Sequence, residues 1–121
     1  MLVDTHAHLQ WTSFAKDRET VISRARKAGV EYIVNIGFDV EGSRQAIDLA
    51  ENHAGLYATV GVHPHNASQV NTNVMETLRR LAGNLKVVAI GEIGLDYYRN
   101  LSPKEAQTKA FDAQLVLAEE L

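Results

Sequence analysis

Asp4, His6 and His8 stand at alternate positions in "DTHAHL", residues 4–9, with only Thr5 and Ala7 between them. In an extended strand alternate side chains share a face, so the three polar groups line up together. On a buried face each needs a partner, because an unpaired buried polar group costs roughly 1–3 kcal/mol. A second His-x-His pair, His63 and His65, lies in "GVHPHNA" at residues 61–67, and Glu92 follows the apolar run "VVAIG". Imidazole plus carboxylate is a ligand set suited to zinc, manganese or iron. A hydrogen-bond network without metal would satisfy the same groups. His53, two residues before Gly55, reads as structural, a cation complementing a helix end. Tyr97, Tyr98 and Arg99 offer base stacking and a phosphate contact, or an ordinary surface loop.

The elements that must position these groups repeat. "KAGVEYIVNIG", "NHAGLYATVGV" and "LAGNLKVVAIG" each carry a helix-like end at Gly29, Gly55 or Gly83, then a β-branched apolar run. Each run stops at a second glycine, Gly37, Gly61 or Gly91, where backbone could approach a ligand closely. With "LVDTH" as the first strand, four strand–helix units emerge. Apolar stripes mark the helices: Val21, Ile22, Ala25 and Ala28; Val40, Ile47 and Ala50; then Val74, Met75, Leu78, Leu81 and Ala82. Ser102, Pro103 and Glu105 predict a capping box opening the last helix, with proline at its first position.

Strands alternating with helices imply parallel pairing through right-handed crossovers. The architectures that fit are a small doubly wound sheet or part of a (β/α)8 barrel, which needs about 250 residues. At this repeat length the 121 residues hold four units, half a barrel. The helical pattern still runs at Leu121, with Glu119 and Glu120 opposing the helix dipole, so the expectation is a chain truncated in its fourth helix. In either architecture the C-terminal strand ends form the functional face, and all three polar clusters fall there.

Composition narrows the classes. The chain is 45% hydrophobic and 22% charged, enough apolar material for one domain with a core. Its net charge of −3 provides no sequence-independent attraction to nucleic acid or anionic membranes. The absence of cysteine excludes disulfides, thiolate metal sites and thiol nucleophiles. No signal-peptide pattern opens the chain, and nothing approaches the ~20 apolar residues of a membrane span. A soluble cytoplasmic protein is expected.

"VDTHAHL" at 3–9, "GVHPHNA" at 61–67 and "IGEIGLDYYRN" at 90–100 resemble, in order, three N-terminal signatures of the TatD-type metal-dependent deoxyribonucleases of the amidohydrolase superfamily. "SPKEAQTKAFDAQLVLAEEL" is similar to the helix after the third signature. The resemblance implies half of a (β/α)8 TIM barrel that carries one or two divalent ions, Mg, Mn or Zn. It implies that His6 and His8 hold one metal and Glu92 bridges to a second. His63, beside the site, and Glu92 are the catalytic residues it points to. Asp4, His65, Asp96, Tyr97 and Arg99 would support the ligands or touch substrate. The family draws two further histidines and a catalytic aspartate from strands beyond residue 121, so the fragment alone is expected to be inactive.

The implied partner is DNA or another phosphodiester, together with self-association or a missing C-terminal half. Two other readings stay open: a hydrolase of small-molecule amides or esters, and a non-catalytic half-barrel acting by association.

Overall fold

The computed structural model describes residues 1–121. Four strands, β1 (Leu2–Ala7), β2 (Val30–Asn35), β3 (Leu56–Val60) and β4 (Val87–Ile90), alternate with four helices. The helices are α1 (Arg18–Lys27), α2 (Val40–Asn52), α3 (Thr72–Ala82) and α4 (Lys104–Glu120). Two short 3-10 helices, Thr12–Phe14 and Pro64–Gln69, lie in the loops after β1 and β3. The sheet order is β1-β2-β3-β4, with every pairing parallel. This is four βα units of a TIM barrel, as the glycine-punctuated repeats predict. Sequential right-handed crossovers put the helices on one face of the sheet.

The core lies between sheet and helices. Ile33, Leu56, Ala58 and Val60 meet Ile22, Ala46, Ile47, Ala50, Leu78 and Leu117 there. Burying each large aliphatic contributes about 1.5–3 kcal/mol. Asp39 and Asn71 cap α2 and α3, accepting from the N–H groups of Gly42 and Val74. Each such cap is worth about 1 kcal/mol. The face of the sheet away from the helices is open and β1 is an edge strand, and Leu2, Val3 and Val88 are 58%, 51% and 54% exposed.

Several local expectations fail for physical reasons. α4 starts at Lys104 with Pro103 at its N-cap and no side-chain cap. Ser102 Oγ donates instead to the His65 carbonyl at 2.8 Å, so a tertiary acceptor takes the hydroxyl from the capping box. Gly29 and Gly55 adopt φ of +92° and +76°, as helix-ending glycines do, but Gly83 has φ −71° and stays right-handed. The strand-end glycines answer neighbouring strands more than any ligand. A Cβ on Gly61 would lie 2.6 Å from the Gly91 carbonyl carbon, and one on Gly37 would lie 2.6 Å from the Thr59 oxygen.

Glu120 has a partner the dipole argument overlooked: it pairs with Arg79 of α3. His53 is structural. Its Nδ1–H donates to the Leu49 carbonyl in the last turn of α2, and Nε2 meets Glu19 Oε1 of α1 at 2.9 Å.

Candidate metal centre

β1 ends at Ala7, β3 at Val60 and β4 at Ile90, so His6 and His8, His63, and Glu92 gather at one rim. Parallel register forces this, since the strand C-termini all point the same way. His6 Nε2 lies 3.2 Å from His8 Nε2 and 3.4 Å from Glu92 Oε2, and His8 Nε2 lies 3.8 Å from that oxygen. The face is only partly buried: the His6 side chain is 54% exposed against 16% for His8. Four strands leave the inner face of the sheet uncovered.

The tautomer of His8 follows from its partner. Its Nδ1 stands 3.0 Å from the Ile36 carbonyl, which can only accept, so Nδ1 carries the proton and Nε2 presents a lone pair. Burial lowers the His8 pKa from its ordinary 6.5; His6 lowers it further, while the Ile36 bond and Glu92 act upward. The Trp11 indole stacks on the ring, centroids 4.2 Å apart, and stiffens its orientation. Glu92 is placed by its backbone. It follows Gly91 across a cis peptide bond, and its N–H donates to the Gly37 carbonyl at 2.6 Å.

These donors suit a cation. A tetrahedral ion about 2.0–2.1 Å from each donor sets donor–donor edges of about 3.3–3.4 Å. The triangle formed by His6, His8 and Glu92 has sides of 3.2, 3.4 and 3.8 Å. One lone-pair nitrogen, a second imidazole and a carboxylate at this range repel unless a proton or a cation lies among them.

His63 stands beside the triangle in another chemical state. Its Nδ1 accepts the His65 backbone N–H at 3.0 Å, which leaves its proton on Nε2, 3.5 Å from Glu92 Oε1. Burial lowers its pKa below 6.5 despite the nearby Glu92. A protonated Nε2 donates a hydrogen bond and does not ligate. Asp4 touches no histidine ring; its carboxylate accepts the His6 backbone N–H at 3.0 Å and stiffens the strand end.

The other expected residues form an adjoining cluster. His65 Nε2 meets Asp96 Oδ2 at 2.6 Å, and Arg99 binds the same carboxylate through its backbone N–H and its guanidinium. The bonds from Arg99 and His65 hold Asp96 well below the usual carboxylate range. Tyr97 turns to α4, its hydroxyl 3.1 Å from Thr108 Oγ1, while Tyr98 is 93% exposed. Of the loop residues offered for phosphate and base contact, Arg99 and Tyr97 thus have internal partners.

Three residues that sequence reasoning did not single out hold this rim together. Gln107 Oε1 accepts the Asp96 N–H at 2.8 Å. Gln114 accepts the Val62 N–H at 2.7 Å and donates to the Val62 carbonyl at 3.1 Å. The Trp11 ring covers His8. Gln107 and Gln114 are fully buried seven residues apart on α4, alternating with Ala110 and Leu117. A glutamine at a stripe position is a legible signal of a buried polar partner.

Four parallel βα units bearing an imidazole–carboxylate cluster at the C-terminal rim define half of a TIM-barrel fold. The chain belongs to the TatD related DNase family, whose model matches residues 3–121. It is 53% identical over 121 residues to the 3'-5' ssDNA/RNA exonuclease TatD of Pantoea ananatis, covering 99% of this chain and 46% of that protein. It is 41% identical to the uncharacterized metal-dependent hydrolase YabD of Bacillus subtilis, covering 100% of this chain and 48% of that one. The crystal structure of YJJV, a TatD homolog from Escherichia coli, superposes with a TM-score of 0.89 at 36% identity, over 98% of this chain and 47% of that one. The chain spans about half the length of the curated relatives it matches. No helix is long and apolar enough to cross a membrane.

Proposed function

We propose that these residues are the N-terminal half-barrel of a metal-dependent phosphodiesterase that hydrolyses DNA or a related nucleic acid. The observation that carries this reading is the triangle of His6, His8 and Glu92 at the strand rim of a TatD-family chain. A divalent cation held there, Mg, Mn or Zn, supplies Lewis-acid activation of water for attack on phosphorus. His6 and His8 provide neutral nitrogen donors, with His8 aimed by Ile36. Glu92 brings one oxygen to the histidines and turns the other toward His63, an arrangement suited to bridging. His63 offers Nε2–H to an anionic oxygen. Asp4 stiffens the strand under His6.

The 121 residues alone are proposed not to turn over substrate. They provide one group of ligands and, among Asp4, Glu92 and Asp96, no free carboxylate placed as a general base. A cytoplasmic location belongs to the same reading.

The test has two parts. Metal analysis of dialysed protein should show ion retained by the unmutated chain and lost from H6A and H8A; equal content in all three sinks the metal centre. A panel of single-stranded DNA, RNA, small esters and small amides, offered to a whole barrel with Glu92 intact or as E92Q, should show cleavage of nucleic acid that disappears in E92Q. Turnover of esters or amides alone would move the protein to a small-molecule hydrolase. Robust, Glu92-dependent DNA cleavage by these 121 residues would show that half the barrel suffices.

A further inference from the structure

The His65–Asp96 pair lies outside the ligand triangle yet connects through one hydrogen bond to His63, whose Nε2 stands 3.5 Å from Glu92 Oε1. From α4 inward, Gln107 accepts the Asp96 N–H at 2.8 Å, and its amide donates to the Ser102 carbonyl at 2.8 Å. Asp96 holds the His65 ring at 2.6 Å, and Ser102 Oγ holds the His65 carbonyl at 2.8 Å. His65 is thereby gripped at both ring and backbone. Its own N–H points at His63 Nδ1, and the two rings pack edge to face with centroids 4.1 Å apart. A backbone N–H can only donate, so as long as the loop stays in place Nδ1 is an acceptor and the His63 proton resides on Nε2.

We propose that Asp96 is a positioning residue for His63: through the His65 ring it secures the loop whose backbone N–H locks the His63 imidazole as its Nε2–H tautomer, aimed beside Glu92 at an anionic phosphate oxygen. The role given to His63 rests on the metal-centre reading above; the lock itself is a property of this chain without metal. Three consequences follow from the chemistry. His63 is excluded as a ligand through Nε2, so the rim carries a donor and a cation site side by side. A phosphodiester presents negative oxygens to both already in its ground state, whereas an amide or ester develops one only in its tetrahedral transition state. Arg99 binds Asp96 through its backbone N–H and one guanidinium nitrogen and so anchors the relay.

The experiment is long-range proton–nitrogen correlation spectroscopy of the histidine side chains in the 15N-labelled 121-residue chain, with metal chelated. In the unmutated chain His63 should show a single tautomer, with Nδ1 unprotonated and Nε2 protonated. In D96A the released loop should bring the two His63 nitrogens toward exchange-averaged shifts. D96N is the second variant. Two donors, the His65 ring and the Arg99 guanidinium, converge on Oδ2 and only the Arg99 N–H on Oδ1, so the asparagine oxygen should take the Oδ2 position and both His65 and His63 should keep the tautomers of the unmutated chain.

A purely structural Asp96 would change amide dispersion without this pattern. An Nδ1–H tautomer of His63 in the unmutated chain, or an unaltered His63 tautomer in folded D96A, overturns the proposal. If D96A unfolds, H65A decides: it removes the ring that Asp96 holds and keeps the backbone N–H, so exchange-averaged His63 shifts support the relay and an unaltered His63 tautomer overturns it. Because metal is absent and His6, His8 and Glu92 are untouched, failure here leaves the metal centre standing. Failure of metal retention in turn leaves the tautomer result standing.

Discussion

The indole of Trp11 lies stacked on the imidazole of His8, with ring centroids 4.2 Å apart and planes only 9° from parallel. Trp11 is the single tryptophan of the chain, so its emission reports on the His8 imidazole. Cation capture at His8 Nε2 withdraws charge from the stacked ring. Adding zinc or manganese should therefore change Trp11 fluorescence in a saturable titration. H6A and E92Q keep the stack but remove a ligand, so each should weaken the apparent affinity roughly tenfold or more. A flat titration in protein that retains metal would separate the stack from the centre.

The second prediction concerns the bond that docks α4. Gln114 satisfies both backbone groups of Val62, a residue only 1% exposed. Q114L keeps the volume but orphans a buried N–H and a buried carbonyl, each costing about 1–3 kcal/mol. Urea unfolding should show a loss of about 2 kcal/mol or more. V116T, at a position 53% exposed on the same helix, should stay within about 0.5 kcal/mol of the parent.

Much of this was readable before any coordinates. Glycine-punctuated, β-branched runs gave the four strands, because a parallel strand beneath helices needs an unbroken apolar run and a glycine to leave the preceding helix. His6, His8 and Glu92 were legible as a group because parallel topology brings strand C-termini to one rim. Competition between partners was not legible. The Ser102 hydroxyl had two possible partners, the N–H donors of the α4 N-terminus and the His65 carbonyl acceptor, and only the tertiary position of His65 decides. The same holds for Arg99, whose bond to Asp96 is set by where the loop places that carboxylate. Gln107 and Gln114 were passed over because an apolar-stripe reading skips polar residues, although their spacing matched the stripe.

Acid should destabilise the metal-free protein in two separate pH ranges. Burial puts the folded-state pKa values of His8 and His63 below 6.5, so near that pH the unfolded chain binds more protons than the folded one. Stability is then fully present above 6.5 and is lost as pH falls through the lower folded values. Asp96 acts in the same direction further down. Its depressed pKa adds stability that is present above the ordinary 3.8 and is lost on approach to the folded value. Melting temperatures measured in chelator from pH 8 to 3 should fall in two stages. H63Q should reduce the upper stage and D96N the lower; a profile that is flat between pH 7 and 5 would contradict the histidine assignment.

The last prediction concerns assembly. β1 and β4 each have one unpaired edge, since the sheet order ends at both. Unpaired N–H and C=O groups along an edge are a template for another strand. At the β4 edge the chain adds an apolar groove lined by Ala82, Val87, Val88, Ala118 and Leu121. At the β1 edge, Leu2 and Val3 are more than half exposed. Neither edge strand contains a lysine or proline; register irregularities occur in β1 and, at Val88, in β4. Either a second copy or the remainder of a barrel would cover these surfaces, and in the isolated chain only a second copy is present. Light scattering after size-exclusion chromatography should therefore give a mass above 13.4 kDa that rises with concentration. Placing lysine at Leu2 and Val88 should return the protein to monomer without disturbing Leu56, Val60 or Leu78, which face the helices. A stable monomer at high concentration in the unmutated chain would show that the open edges are tolerated as they stand.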